Sequence, residues 1–228
     1  MACSSSDQLA KDSFNKMDLN IIQKISAYAI PIIFAITIHE AAHGYAARYF
    51  GDMTAHYLKR ITLNPLRHID PMGTILLPAL TVMLGGILFG WAKPVPVNFS
   101  NLKNPKKDMF WVALAGPASN FVMAIFWTII LVRINIFPDH AELFLRVMCL
   151  AGIQINIVLM VLNLLPLPPL DGGRIAVSLL PNPWSSYIAG LERYGLFILI
   201  ALLFTGILGQ ILTPLVSLSQ SIIFLIFG

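Results

Sequence analysis

The sequence predicts an all-α protein that crosses a membrane several times. Of its 228 residues, 57% are hydrophobic and 11% are charged, whereas soluble domains average about 25% charged residues. A compact soluble fold of this length could not bury so much apolar surface, so a bilayer is the expected solvent. We therefore expect a bundle of about five to six transmembrane helices, with a re-entrant or β-like segment at about residues 54–98.

Four apolar regions define the expected helices. The first three run from about Ile25 to Tyr49, from Met109 to Phe137 and from Arg146 to Leu170. No charged residue follows Arg193, so the C-terminal region supplies one span or two short ones. The basic residues lie between these membrane-length runs, which argues against nucleic-acid binding and fits loops that face the cytosol.

The segment from Pro71 to Trp91 is ambiguous. At roughly 20 residues it is long and apolar enough to span. It also contains residues that weaken a straight helix, namely Gly73, Pro78, Gly85, Gly86 and Gly90. Its flanks are rich in proline and in residues that favour β-structure, so a segment that enters and leaves on one side is a second possibility.

The first chemical motif is His39-Glu40-Ala41-Ala42-His43 at the end of an uncharged run. On a helix, residues i and i+4 lie on one face, so both imidazoles can reach one metal ion. Glu40 projects beside them, where it can activate a water molecule. Placed in the bilayer, these three polar groups cost several kcal/mol unless they are paired or bind a metal. A polar cluster at the membrane interface is the plainer alternative.

A zinc site of this kind needs a third protein ligand, and Asp171 is the best candidate. It follows a membrane-length run in the sequence NLLPLPPLDGG, which covers residues 163–173. The three prolines prevent a regular helix there, and the two glycines allow close approach of the backbone. Without the histidine motif, Asp171 would be interpreted as a solvated aspartate in a loop.

Two asparagines stand in or beside the apolar runs. Asn120 follows the small residues of AGPASN, which permit close helix packing. Its amide could donate to a peptide carbonyl, stabilise an oxyanion or hold helices together. Asn163 has the same ambiguity. We expect His56 and His68, in the basic loop region, to be solvated rather than to contact substrate.

In combination, these motifs resemble the site-2 protease family of intramembrane zinc peptidases, in its compact branch without a PDZ domain. The resemblance covers nearly all of residues 25–175 and rests on HEAAH, AGPASN, NLLPLPPLDGG, ITLNPLRHIDP and GWAKPVPVN. It implies one Zn²⁺ ion held by His39, His43 and Asp171, with Glu40 as general base. It also implies roles for Asn120 and Asn163 near the substrate.

The polar and apolar runs predict a domain organisation, and the resemblance implies a substrate class. We expect residues 1–20 to form a polar tail and residues 21–228 a single domain, with a catalytic core at about 25–175 and C-terminal helices at about 187–228. The expected activity is zinc-dependent cleavage of membrane proteins in or near their transmembrane segments. A metal transporter or sensor, and an inactive relative that only binds membrane proteins, are the alternatives.

Sharing one metal ion constrains the topology. His39 and Asp171 reach the same depth most simply if their two runs cross in the same direction, with an odd number of crossings between them. The run from Met109 is one crossing, so Pro71–Trp91 is expected to re-enter rather than to span. The basic loops then lie on one side, which the positive-inside rule makes cytosolic. We expect an integral protein of the bacterial inner membrane with its site nearer the cytosolic face.

Overall fold

The computed structural model describes residues 19–76 and 92–228, and within these ranges every regular element is helical. The α-helices are α1 Ile21–Tyr49, α2 Thr54–Tyr57, α3 Pro105–Val132, α4 Asp139–Asn163, α5 Asp171–Leu179, α6 Trp184–Gly190, α7 Glu192–Phe204 and α8 Ile207–Phe227. Short 3₁₀ turns lie at Pro65–Arg67, Phe99–Asn101 and Ile134–Ile136, and a π-helical turn lies at Pro71–Leu76.

The membrane-spanning architecture is confirmed. Four described helices are long and apolar enough to cross a bilayer: α1, α3, most of α4 and α8. The pair α6 and α7 would supply a fifth span, although it is bent by 66° between its two helices. Residues 54–76 and 92–98 contain no strand, so the β-like alternative has no support there. Most of the expected re-entrant segment, residues 77–91, lies outside the described residues.

The helix ends follow from local sequence. Asn20 caps α1 through its side chain, which accepts the Gln23 N–H at 2.8 Å, while the Gln23 side chain accepts the Asn20 N–H at 2.9 Å. This reciprocal pair satisfies two otherwise unpaired donors. Helix α3 starts with Pro105, whose missing N–H costs nothing at that position. Helix α4 ends at Asn163, just before the proline-rich stretch.

The directions of the three central helices can be read from their contacts. His43 contacts Val112, whereas His39 and Ala35 contact Asn120, so α1 and α3 run antiparallel. Asn120 bonds to Asn156, and further along α3 the ring of Trp127 packs on Gly152. Helices α3 and α4 are therefore antiparallel too, and α1 runs in the same direction as α4. A common direction of these two helices was predicted from a metal site shared by His39 and Asp171.

Tight packing between α3 and α4 depends on Gly152. A Cβ atom at this position would lie 2.6 Å from the Trp127 ring, so only glycine lets the indole lie flat against the helix backbone. Small residues at such contacts are typical of helix pairs in membranes, where the hydrophobic effect does not drive association. The buried cluster around them also includes Cys149, Ile153 and Ile157.

The connection between α1 and α3 begins and ends at the same end of the bundle. The Phe50 carbonyl accepts the Lys103 N–H at 3.0 Å. The fully buried Asp52 carboxylate accepts the Asn98 N–H at 2.7 Å. Residues 52 and 98 are thus in direct contact, as expected for loops that lie on one side of the membrane.

The Asp52 carboxylate accepts several hydrogen bonds, and these favour its ionised form. Burial alone would raise the pKa of the Asp52 carboxyl, but donors from Thr54, Asn98 and Asn101 outweigh burial and hold the pKa below its ordinary value of 3.8. The stability that the Asp52 carboxylate gives to the folded state is therefore complete at pH values above 3.8. It is lost as the pH falls through the lowered pKa of Asp52.

We predict that Asp52→Asn lowers the free energy of unfolding by about 1–3 kcal/mol, because the new NH₂ group leaves a buried donor without its acceptor. Thermal unfolding of the purified protein in detergent measures the effect. Glu192→Gln is the control, since the Glu192 side chain is 57% exposed and 3.7 Å from Arg174. Equal stability of Asp52→Asn and wild type would contradict the prediction.

Candidate metal centre

Three side chains converge where α1 meets the start of α5. His39 and His43 lie one turn apart on α1, and Asp171 is the first residue of α5. The two Nε2 atoms are 3.1 Å apart. Asp171 Oδ2 lies 3.3 Å from each of them. His39 and Asp171 are each 7% exposed, so little water reaches the group. The three residues predicted to share a metal therefore lie together.

The tautomers of both histidines can be derived from their partners. His39 Nδ1 lies 2.6 Å from Asn120 Oδ1, and His43 Nδ1 lies 2.7 Å from the Val112 carbonyl oxygen. Both partners are acceptors, so each Nδ1 carries the proton and donates it. Each Nε2 then presents a lone pair, which is the form in which imidazole binds a metal.

The orientation of the Asn120 amide is fixed by a chain of hydrogen bonds. Its Nδ2 donates to the Ala35 carbonyl at 3.3 Å and to Asn156 Oδ1 at 2.9 Å. Asn156 Nδ2 in turn donates to the Gly152 carbonyl at 2.8 Å. Because both asparagines are fully buried, this chain determines which atom of Asn120 faces His39.

The donor set fits a cation. Two Nε2 lone pairs and a carboxylate oxygen face one another, and Asp171 Oδ2 is buried without a hydrogen-bond donor. Three acceptors this close repel one another unless a positive charge lies between them. Two imidazoles and one carboxylate are also a known ligand set of catalytic zinc, which leaves a fourth position open.

Asp171 reaches this position because the chain turns sharply before it. The loop between α4 and α5 contains Pro166, Pro168 and Pro169, and α5 packs directly on it. A Cβ atom on Gly173 would lie 2.6 Å from the carbonyl carbon of Leu167. The two glycines after Asp171 thus permit the close approach that brings the carboxylate to the imidazoles.

Glu40 lies beside the group without joining it. Its Oε2 accepts the Val95 N–H at 2.7 Å. Its carboxylate is thus held by a backbone donor of the loop and is not one of the three groups that converge.

The remaining sequence predictions have mixed outcomes. Asn163 Nδ2 donates to the Leu159 carbonyl of its own helix at 3.0 Å, and its role near the substrate stays a prediction. His56 is exposed, as expected. The expectation that His68 is solvated was wrong, because it is 2% exposed and its Nε2 donates to the Thr62 carbonyl at 3.0 Å.

Sequence reasoning missed Asn156. It lies in the apolar run of α4, where a side-chain amide needs a partner as much as Asn120 does. That signal was present in the sequence. Its partner could be identified only from the packing of α3 on α4.

A bundle of membrane-spanning helices with an HExxH motif and a third, distant carboxylate defines a class, the membrane zinc metalloproteases. The model of peptidase family M50 matches residues 132–205, which include Asp171. The protein YwhC of Bacillus subtilis, provisionally named a zinc metalloprotease, is 37% identical over 87% of this chain and 90% of its own length. Rip2 of Mycolicibacterium smegmatis, named in the same way, is 34% identical over 78% of this chain and 66% of its own length. No solved structure matches the chain significantly.

The chain belongs to peptidase family M50, the site-2 protease family. It is a zinc metalloprotease and an integral membrane protein. The fold and cofactor expected from the sequence are therefore confirmed.

We predict that Asn120→Ala lowers zinc affinity by about 10- to 100-fold, because the proton on His39 Nδ1 loses its acceptor. Competition with a chelator measures the affinity. Asn163→Ala is a matched control, since that amide bonds within its own helix and should bind zinc as wild type does. Equal affinities in the two variants would show that the chain of asparagines does not support the metal site.

A second prediction concerns Gly116 on α3. A Cβ atom there would lie 2.6 Å from His39 Nε2 and would also press on His43. Gly116→Ala should therefore reduce bound zinc sharply, which elemental analysis of the purified protein measures. Gly209→Ala on α8 is the control, because a Cβ atom meets nothing within 4 Å there. Full zinc occupancy in Gly116→Ala would contradict the geometry.

Proposed function

We propose that this metalloprotease is an intramembrane endopeptidase that cleaves peptide bonds in or near the transmembrane segments of other membrane proteins, as in regulated intramembrane proteolysis. The observation that carries the proposal is the convergence of two imidazole lone pairs and a carboxylate inside a bundle of apolar helices. A site at this place reaches substrates that are themselves in the bilayer.

The proposed ligands of the single zinc ion are His39, His43 and Asp171. Bound there, zinc would polarise the scissile carbonyl and make water more acidic. Glu40 takes a proton from the attacking water and returns it to the leaving amine. Asn120 holds His39 in the required tautomer. Asn163 stays a proposed substrate contact, because its hydrogen bond to the Leu159 carbonyl uses one of its two amide N–H groups.

A substrate helix must unwind before it can be cut, because its amides are protected by hydrogen bonds within the helix. Only a local opening brings a carbonyl carbon within reach of water activated by Glu40. The inferred substrates are therefore membrane proteins whose transmembrane segments open easily, for example at glycine or proline.

The proposed orientation places the site near the cytosolic face of a bacterial inner membrane. Residues 48–108 contain eight basic residues and the acidic residues Asp52, Asp70 and Asp108. The contact between Asp52 and Asn98 supports loops on one side, and the positive-inside rule makes that side cytosolic. The relatives come from bacteria.

The position of Glu40 favours hydrolysis over metal transport. A transporter would use its intramembrane carboxylates to coordinate a moving ion. Here the Asp171 carboxylate belongs to the converging group. The Glu40 carboxylate instead accepts a hydrogen bond from the Val95 N–H.

We predict that Glu40→Gln abolishes cleavage while zinc is retained, because the amide cannot accept a proton but has nearly the same shape. The test compares purified wild type and variant on a panel of single-span membrane proteins in detergent, with bound zinc measured in both. Asp171→Ala should lose both zinc and cleavage.

Two results would count against the proposal. Cleavage by Glu40→Gln at the wild-type rate would exclude Glu40 as the base. Zinc-loaded wild type that cleaves none of the panel would favour the inactive, substrate-binding alternative.

A further inference from the structure

Glu40 is contacted from outside the helix bundle by one extended segment. We call residues 93–98, with the sequence KPVPVN, the strap. The Val95 N–H donates to Glu40 Oε2 at 2.7 Å, and Val95 is 6% exposed. Its side chain packs over Gly44, one turn beyond Glu40, at 3.2 Å from the Cβ position. The strap thus lies directly against the helix that carries the proposed base.

The sequence of the strap explains why Val95 is its contact point. Pro94 and Pro96 have no N–H to donate, so Val95 has the one donor between them. Residues that precede proline are driven to extended conformations, which applies to both Lys93 and Val95. The strap is therefore stiff, and it presents one backbone donor on the side of Glu40.

Arg60 secures the start of the strap. Its guanidinium donates to the carbonyl oxygens of Lys93 at 3.1 Å and Pro94 at 3.3 Å. The Lys93 N–H also donates to the His68 carbonyl at 2.8 Å. Because His68 is buried, the carbonyl group that accepts this hydrogen bond is held in place.

The far end of the strap is secured as well, by the bond from the Asn98 N–H to buried Asp52. Val95 thus lies between two anchored ends. Movement at either end would be transmitted to its N–H, and the nearer anchor is the Arg60 side chain.

We infer that Arg60 is a positioning residue for the reaction, an inference that rests on the proposed role of Glu40. By holding the strap, Arg60 keeps the Val95 N–H on Oε2 and so fixes the rotamer of the Glu40 carboxylate. Oε1 accepts no hydrogen bond from the described residues and is the oxygen that takes the proton from water.

The hydrogen bond from the Val95 N–H orients the Glu40 carboxylate. A glutamate side chain has three rotatable bonds, and a general base acts only within hydrogen-bond reach of its proton. Displacement of a reacting group by 1 Å can cost about 100-fold in rate. One backbone hydrogen bond on one oxygen removes that freedom without using the other oxygen.

The first test measures turnover in Arg60→Gln on a substrate that wild type cleaves. We expect kcat to fall about 10- to 100-fold, with KM changed by less than about twofold and bound zinc unchanged. Arg60→Lys retains a donor and should recover part of the rate. Lys59→Gln removes a neighbouring exposed charge and should match wild type. A general loosening of the loop would instead raise KM or lower the melting temperature.

The second test observes the Val95 amide directly. In protein labelled with ¹⁵N-valine, Val95→Ile identifies its NMR signal. We expect slow hydrogen exchange in wild type, and faster exchange in both Arg60→Gln and Glu40→Ala. This measurement needs no substrate and no turnover.

The outcomes separate the two proposals. Wild-type kcat in Arg60→Gln overturns the inference, and so does a loss of kcat with unchanged exchange at Val95. If wild type cleaves nothing, the proposed function fails, while the exchange measurement still tests whether Arg60 holds the Val95 contact.

Discussion

The mutual repulsion of three acceptors is the constraint on which the rest of the site depends. His39 and His43 direct their protons outward to Asn120 and to a backbone carbonyl, so that two bare nitrogens face the Asp171 carboxylate. In a region shielded from water, that arrangement is unfavourable unless a cation neutralises it. The folded chain therefore builds the proposed zinc site by placing hydrogen-bond partners behind the two histidines as well as by bringing the three side chains together.

Helices α1, α3 and α4 pack closely although the hydrophobic effect does not drive helix association in a membrane. Small residues let the helices approach one another, and polar residues form hydrogen bonds between them. Gly116 leaves space for the imidazoles, and Gly152 leaves space for an indole. The amides of Asn120 and Asn156 link all three helices through one chain of hydrogen bonds. Such bonds are worth about 1 kcal/mol each in a membrane. Their larger contribution is specificity, because a shifted helix would leave buried amides unpaired.

The sequence predicted those parts of the site that follow from local geometry. Two histidines four residues apart must share a helix face, and the prolines before Asp171 must break the helix that precedes it. Asn120 and Asn163 looked equivalent, yet only packing decides that one faces an imidazole and the other its own helix. The burial of His68 and the contact from Val95 to Glu40 depend on how a loop folds back on α1, which no local pattern encodes.

The proposed metal ligands and the proposed base are thus supported by different parts of the chain. The asparagine chain acts from within the bundle on His39, whereas the strap acts on Glu40 from the loops outside it. With two separate supports, the proposed metal ligands are held by one set of hydrogen bonds and the Glu40 carboxylate by another. This division suits the proposed reaction, in which the proposed ligands keep their positions while Glu40 takes a proton from water and returns it to the leaving amine.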